Sequence, residues 1–350
     1  MKLLLKYLLI TTLFSSCTSC ESKDNTASTP QPPSRELQKY EPENGKCLVF
    51  IGQDLGAVGG LNGYDKGYCN YFPTPAGITV YLGLGGDEGK ISGLYDIDNW
   101  GSGDCCANLY TQSEGFNKVS IAVGLAMVGQ EKNITDGKRN RNLDVIGEWI
   151  KQLAPRPIFL RIGYEFDGAD WNHYVPETYI PAFKYIKDHF DKAGITNIAY
   201  VWQSKGYGTS MAEMNKWYPG SEYVDWCAYS YFGQPDRAMI DFARAKGKPV
   251  FIAEATPVFQ KGESYFDADI KKPEIARKIW NEWFTAFFKT IEENEDVVKA
   301  FSYINVDWLV QPMWITNVTF QQCDSRIQMS EYVSNHWKEK MKDEKYVQMK

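Results

Sequence analysis

A chain of 350 residues, 43% of them hydrophobic, is long enough for one barrel-sized domain or for two smaller ones. Its net charge of -6, without any cluster of Lys and Arg, argues against a nucleic-acid partner. With only three His a zinc site is not expected, and the one metal that stays open is an oxygen-ligated calcium in the loop at 96–99. We predict no cofactor.

Residues 1–20 have the layout of a secretory signal. Two lysines give a basic start, a short apolar run follows, and two serines precede Cys17. The run is too short to span a bilayer as a stable helix. The Phe-Ser-Ser-Cys stretch resembles a bacterial lipobox, so Cys17, or alternatively Cys20, becomes the lipidated N-terminus. We expect an exported lipoprotein of the outer membrane, facing either the periplasm or the cell surface, whose membrane contact is the lipid anchor.

The segment at 21–43 is rich in Ser, Thr, Pro, Lys and Glu. Such a composition cannot bury enough apolar surface to fold, which predicts a flexible linker. One catalytic domain is predicted over 44–342, followed by a tail at 343–350. Neither an internal repeat nor a second domain is indicated, and we expect a monomer.

Six cysteines follow the signal region, and export permits disulfides. Cys47 and Cys227 lie in apolar, strand-like runs, which favours buried thiols. The better candidates for bridges lie in loops: Cys69, Cys105, Cys106 and Cys323. The pairing cannot be deduced from the sequence.

Short apolar runs recur along the chain, and several are nearly uninterrupted, which is typical of strands buried on both faces. The predicted strands are 48–51, 78–84, 119–127, 158–162, 198–202, 226–231, 250–253 and 300–304. Amphipathic helices are predicted at 143–153, 178–193, 237–245, 273–293 and 330–341.

Strands that alternate with helices indicate parallel strands with right-handed crossovers. Eight of them favour closure, so the predicted fold is an α/β protein, a (β/α)8 TIM barrel. The Gly-rich stretches at 54–77 and 85–117 have little helical signal, and we expect loops in place of the first two helices.

Two glutamates follow predicted strands of this barrel. Catalytic groups of such barrels lie at the C-terminal strand ends, and Glu165 follows the fourth strand while Glu254 follows the seventh. A carboxylate directly after a buried strand is costly unless it is paired or functional. Either one alone could be an ordinary salt-bridge residue, whereas the two together favour a catalytic pair.

At these positions the sequence resembles clan A glycoside hydrolases, whose acid/base and nucleophile occupy these two strand ends. It is most similar to glycoside hydrolase family 26, because Arg161 precedes Glu165 by four residues, Trp171 follows it, and Tyr231 ends the sixth strand. The resemblance implies a retaining mechanism with Glu165 as acid/base and Glu254 as nucleophile. It also implies a polysaccharide substrate.

Tyr164 departs from the family pattern. Family 26 usually has His immediately before the acid/base, and other families of the clan have Asn. That residue helps to position the sugar hydroxyl next to the reacting carbon, so the replacement indicates a divergent branch rather than a typical mannanase. Arg161 is expected to face inward and hold Glu254 ionised, and Tyr231 is expected to donate a hydrogen bond to Glu254.

Polar and aromatic residues after the strands are candidates for sugar contacts, the aromatic ones because pyranose C–H faces stack on rings. The predicted substrate-binding residues are Trp171, Asn172, Trp202, Gln203, Tyr229, Trp308 and Asp54, with Tyr174, Trp314 and His173 as further candidates. For the aromatic residues the alternative is packing in the core or at the rim.

The leading interpretation is therefore a secreted endo-β-glycanase acting on mannan, xylan or a related glycan. The alternative is a catalytically inactive, glycan-binding lipoprotein on the same barrel. Release of oligosaccharides from a polysaccharide separates the two.

Overall fold

Eight parallel strands close into a barrel. The computed structural model describes residues 36–261, 264–320 and 323–349. In chain order the barrel strands are β1 Cys47–Gly52, β2 Gly77–Gly83, β3 Ser120–Ala126, β4 Ile158–Ile162, β5 Ile198–Ser204, β6 Trp226–Tyr231, β7 Val250–Ala255 and β8 Val298–Ile304. Each pairs with the next, and β8 pairs with β1 from Leu48 opposite Ala300 to Gly52 opposite Ile304. The prediction of a TIM barrel is confirmed, with each of the eight strands in its predicted place.

Helices cover the outside of the barrel. They are α1 Leu55–Val58, α2 Ala107–Thr111, α3 Glu131–Thr135, α4 Asn140–Gln152, α5 Pro176–Lys192, α6 Met211–Trp217, α7 Arg237–Lys246, α8 Pro273–Lys278, α9 Thr285–Glu293 and α10 Glu331–Lys340. A π-helical stretch, Ile279–Phe284, joins α8 to α9. The five predicted helices are present. The short α3 and α6 were missed, and α1 and α2 have only four and five residues, in agreement with the weak helical signal there.

Short strands decorate the loops. Asp98–Asn99 pairs with Asp104–Cys105, Phe259–Lys261 with Ser264–Phe266, and Ala268–Asp269 with Cys323–Asp324. Tyr346–Val347 pairs in parallel with the start of β1. The predicted tail at 343–350 is therefore wrong as a free tail, because Tyr346 is buried and extends the sheet.

Aromatic side chains fill the N-terminal end of the barrel interior. The ring of Phe159 lies 5.3 Å from that of Phe50 and 5.2 Å from that of Trp226, both edge to face. Tyr40 packs on Phe159 from below at 6.1 Å, and the Trp226 indole donates to the carbonyl of Lys39. The end of the predicted linker thus belongs to the fold. With this end closed, the C-terminal strand ends are left as the barrel's mouth.

No helix within the described ranges has the length and apolarity needed to cross a membrane. The signal segment and both candidate lipidation sites, Cys17 and Cys20, lie outside the described residues.

Removing the central ring of this aromatic layer tests its contribution to stability. We expect Phe159→Ala to lower the free energy of unfolding by about 3–5 kcal/mol, because it leaves a cavity among rings that cannot collapse onto it. Urea titration measures the change. Val318→Ala, at a position that is 60% exposed, is the control and should change stability by less than about 0.5 kcal/mol. A loss below 1 kcal/mol for Phe159→Ala would show that the layer is not tightly packed.

Candidate active site

Glu165 lies just beyond β4 in an unusual backbone conformation. Its φ is +53°, a left-handed value that a residue with a side chain rarely adopts. The Asn172 amide holds this turn by donating to the carbonyl oxygens of Tyr164 and Glu165, at 2.9 and 3.0 Å. Asn172 is buried, so its predicted role in binding a sugar hydroxyl is replaced by a role in shaping the turn. Strain of this kind persists only where surrounding contacts fix it, which is common at functional sites.

Glu254 is turned into the mouth by an irregularity in its strand. Phe251 and Ala253 lie in the interior cluster, so regular alternation would point Glu254 outward. The pairing of β6 with β7 shifts register between Tyr229 and Ser230, and Ser230 then lies opposite Glu254. A bulge of this type re-aims a side chain.

Arg161 pairs with Glu254 inside the barrel. Its Nη1 lies 2.8 Å from Glu254 Oε1, and the guanidinium is fully buried. The predicted inward orientation of Arg161 toward Glu254 is confirmed. Because a buried charge is costly without a partner, the Glu254 carboxylate supplies the partner that the buried guanidinium needs.

Both carboxyl oxygens of Glu165 accept hydrogen bonds. Ser230 Oγ donates to Oε1 at 2.7 Å, and Trp171 Nε1 donates to Oε2 at 2.8 Å. Burial, and then the neighbouring charge of Glu254, raise the pKa of the Glu165 carboxyl to about 8, while these two hydrogen bonds oppose the rise. Glu165 is therefore protonated at neutral pH.

Gln203 joins the two glutamates. Its Oε1 accepts from Arg161 Nη1 at 2.8 Å, and its Nε2 donates to Ser230 Oγ at 3.1 Å and to Glu254 Oε1 at 3.3 Å. Gln203 is completely buried, so it organises the carboxyls rather than reaching for a sugar hydroxyl as predicted. Ser230, which the sequence reasoning missed, completes the network. The run 226–231 is buried on both faces, so no alternation in its sequence marks Ser230 as facing inward.

Tyr164 borders the same network. Its ring lies 5.3 Å from that of Tyr81, edge to face, and the Arg161 guanidinium lies 5.4 Å from it. Burial holds the pKa of the Tyr164 phenol well above its usual range, so the residue stays neutral. It is thus placed beside the catalytic pair, where the family usually has His.

Three predicted sugar-binding or supporting residues point away from the mouth. Trp202 stacks on Phe166 at 4.3 Å, and Tyr231 packs edge to face on Trp283 at 5.4 Å. Tyr229 is fully buried in the outer core. The prediction that Tyr231 donates to Glu254 is therefore wrong, because the side chains at 227, 229 and 231 face the helices while Ser230 faces inward.

Trp308 and Asp54 lie at the mouth but are covered. Trp308 is buried, stacks on Phe320 at 4.2 Å, and donates to Thr256 Oγ1 at 3.3 Å. Asp54 caps α1 by accepting from the Ala57 N–H at 2.9 Å, and burial raises its pKa to about 6. These contacts occupy both side chains, and their role in binding a sugar stays a prediction.

The further candidates for sugar contacts are Tyr174, Trp314 and His173, and they differ in their exposure. The Tyr174 hydroxyl accepts from the Met127 N–H and is buried, and the Trp314 ring packs on Trp308. His173 is exposed and has a left-handed φ of +55°.

Exposed aromatic rings stand on two sides of the mouth. Trp171, after β4, is 43% exposed, and the Lys205 ammonium lies between its ring and that of Tyr207, at 6.0 and 4.8 Å. Trp100 is exposed in the loop after β2, which is tied to the β8 loop by the Met313 N–H donating to Gly101. Because β4 and β5 lie across the barrel from β8 and β1, exposed rings lie on two sides of the mouth. Trp171 was predicted, whereas Lys205, Tyr207 and Trp100 were missed.

The described residues contain no group of three or more His, Cys, Asp or Glu placed to hold a metal ion. In the loop at 96–99, the Asp98 carboxylate accepts from Ser92 and from the Gly93 N–H. Cys69, Cys105 and Cys106 are free thiols, so these three of the loop cysteines proposed for bridges form none, and the Cys323 thiol donates to the carbonyl of Pro257 at 3.7 Å. Cys47 and Cys227 are buried as predicted.

An eight-stranded α/β barrel that presents two glutamates at the ends of its fourth and seventh strands has the architecture of a clan A glycoside hydrolase. The model of Glycosyl hydrolase family 26 matches residues 107–309. A beta-1,3-xylanase from Alcaligenes sp. is 31% identical over 328 residues, covering 88% of this chain and 66% of that protein. A second beta-1,3-xylanase, from Vibrio sp., is 31% identical over 324 residues, covering 88% and 67%. The chain thus spans about two thirds of the length of these relatives.

A solved structure shows the same fold. The GH26 beta-mannanase from Bacteroides ovatus has a TM-score of 0.56 and 14% identity, covering 87% of this chain and 90% of that one. The chain belongs to glycosyl hydrolase family 26.

Neutralising each glutamate in turn tests their different charge states. A carboxyl whose pKa is raised by folding stabilises the fold below its unfolded pKa and loses that contribution as pH rises through the folded pKa. We therefore expect Glu165→Gln to be as stable as the wild type in acid and increasingly more stable as pH rises toward about 8, where the advantage levels off. Urea titrations from pH 4 to pH 9 measure this.

Glu254→Gln is the matched control. It leaves the buried Arg161 charge without its partner and should cost about 3–5 kcal/mol at neutral pH. A Glu165→Gln variant whose stability relative to wild type does not change with pH would contradict the protonated state assigned to Glu165.

Proposed function

We propose that this protein is a retaining endo-β-glycanase in which Glu165 is the acid/base and Glu254 the nucleophile. The observation that carries the proposal is the single buried network that joins the two carboxyls while giving them opposite environments. Glu254 accepts from Arg161, and Glu165 has a pKa raised by burial and by Glu254. A pair of carboxyls with separated pKa values is what acid/base and nucleophilic catalysis require.

The reaction proceeds in two displacements. Glu254 Oε attacks the anomeric carbon, the bond to the leaving oxygen breaks, and that oxygen takes the electron pair together with the proton of Glu165. The product is a glycosyl ester on Glu254. Glu165, now ionised, accepts a proton from water as the water oxygen attacks the anomeric carbon and releases Glu254, so the configuration is retained.

For the substrate, β-1,3-linked xylan is the first choice and mannan is disfavoured. The two relatives that are 31% identical are beta-1,3-xylanases. Tyr164 supports this choice, because the residue before the acid/base helps to position the sugar hydroxyl beside the reacting carbon. That hydroxyl is axial in mannose and equatorial in xylose. A larger phenol in place of His suits a different hydroxyl geometry at that position.

Endo action is inferred from the exposed rings around the mouth. Rings on both sides of the mouth, Trp171 and Tyr207 on one and Trp100 on the other, offer stacking surfaces to sugars on either side of the cleaved bond. Export and anchoring through Cys17 or Cys20 to the outer membrane also belong to the proposal, and they rest on the N-terminal sequence alone.

Removing each carboxyl tests the assignment of roles. Glu254→Ala and Glu165→Ala should each lower kcat on the polysaccharide by about 10³-fold or more, because one loses the nucleophile and the other the proton donor. On a dinitrophenyl glycoside, whose leaving group needs no proton, Glu165→Ala should be rescued by azide to give the β-glycosyl azide. Glu254→Ala should give the α-azide. Near wild-type activity in either variant would refute that residue's role.

A polysaccharide panel tests the substrate. Incubation of the purified 37–350 unit with β-1,3-xylan, β-1,4-xylan, mannan and β-1,3-glucan, followed by chromatography of soluble products, should give oligosaccharides of several lengths from β-1,3-xylan first. Product only from mannan would overturn the substrate choice. Retention on a glycan without any product would instead select the alternative, a catalytically inactive binding protein.

A further inference from the structure

Hydrogen bonds in the network between the glutamates run in one direction. An Arg guanidinium has donors and no acceptor, so its contact fixes Oε1 of Gln203 as the acceptor. The Gln203 amide N–H groups must then point at Ser230 Oγ and at Glu254 Oε1. The orientation of the amide therefore follows from Arg161.

The orientation of the Gln203 amide also fixes the direction of the hydrogen bond between Ser230 and Glu165. Its Oγ accepts from Gln203, which leaves its single proton for Glu165 Oε1 at 2.7 Å. The hydroxyl is buried, with the residue only 2% exposed. Glu165 Oε1 accepts this hydrogen bond, so a proton bound to the same oxygen would face the hydrogen of the Ser230 hydroxyl. Protonation of Oε1 is therefore unfavourable.

The other oxygen of Glu165 contacts a partly exposed side chain. Oε2 accepts from the indole of Trp171, a side chain that is 43% exposed. A hydroxyl oxygen can accept that hydrogen bond and still direct its own proton elsewhere. The acid proton on Oε2 would thus lie on the solvent side of the carboxyl, where a leaving group can reach it.

We propose that Ser230 is a positioning residue that keeps the acid proton of Glu165 on Oε2, facing the leaving group. This inference rests on the proposed role of Glu165 as acid/base. Without the hydroxyl, the proton is shared between an outer and an inner oxygen, and the carboxylate loses a donor that favours its ionised form. Protonation of the leaving group becomes less efficient, and the proton is held to higher pH.

Leaving-group dependence gives a test that separates this role from a general structural one. A general acid contributes roughly 10²–10⁴-fold when the leaving group needs a proton and little when it does not. We expect Ser230→Ala to lower kcat/KM about 10- to 100-fold for aryl glycosides with poor leaving groups. The effect on a dinitrophenyl glycoside should stay within about 3-fold, and the basic limb of the pH profile should move to higher pH.

Two variants and one control keep the result decisive. Ser230→Thr retains the hydroxyl and should restore the wild-type leaving-group slope. Ser230→Cys is close in size, has a weak donor, and should behave as Ser230→Ala if the alanine variant does not fold. Ser302→Ala removes another fully buried barrel serine, one that bonds Thr79, and should leave the leaving-group slope unchanged.

Equal losses for all leaving groups with an unmoved basic limb would overturn the role of Ser230. Glu165→Ala, measured in the same series, separates the two hypotheses. If it keeps activity on poor leaving groups, the proposed function itself fails. If it loses that activity while Ser230→Ala and Ser230→Cys show no change in slope, the inference about Ser230 alone fails.

Discussion

The ion pair between Arg161 and Glu254 governs the chemistry at the mouth of the barrel. Taking a guanidinium and a carboxylate out of water costs several kcal/mol for each ion, and only good geometry offsets that cost. Here Arg161 Nη1 contacts Glu254 Oε1 and Gln203 Oε1, both at 2.8 Å, and the rings of Tyr81 and Tyr164 lie 5.0 and 5.4 Å from the guanidinium carbon. Burial, and then the charge of Glu254, raise the pKa of the neighbouring Glu165 carboxyl. Two identical side chains thus lie in different electrostatic surroundings.

The backbone around Glu165 is supported from behind by residues that never meet a ligand. Phe166 follows the left-handed turn and stacks on Trp202, which is itself packed on Phe242. Asn172 closes the turn by hydrogen bonds to two carbonyl oxygens. The strained conformation at Glu165 is therefore fixed by core packing on one side and by an amide on the other. Trp202 thus contributes to the site by packing on Phe166, which follows Glu165, and not by binding the sugar itself.

The architecture could be predicted because the barrel strands are apolar on both faces, and that same property hid the details of the site. A run such as 226–231 shows no alternation that marks its inner face, so Tyr231 looked as suitable as Ser230 for a place beside the nucleophile. In the structure Trp226 and Ala228 face inward, and Ser230 follows them. Glu254 was predicted to follow the seventh strand and lies near its end, where its orientation depends on a register shift that no sequence pattern shows.

Segments outside the strands were misjudged for a related reason. The stretch around Tyr40 is polar enough to indicate a linker, yet one ring suffices to seat it on the aromatic layer under the barrel. Tyr346 does the same at the other terminus, where it pairs with the start of β1. A single aromatic residue in a polar stretch forms no periodic hydrophobic pattern, so its burial cannot be predicted from the sequence.

Burial also separates the aromatic residues that can bind sugar from those that cannot. Trp202 and Tyr229 lie within strands and Trp308 follows one, and each of the three is buried. Stacking on an exposed ring such as Trp171 is tolerant of sugar identity, because every pyranose has an apolar face. Under the proposed function, discrimination between sugars must therefore come from the polar floor of the cleft. Tyr164 stands there in place of the usual His, within the same cluster that sets the charges of Glu165 and Glu254. Substrate choice and proton placement are then coupled, since any exchange at position 164 also changes the surroundings of Arg161.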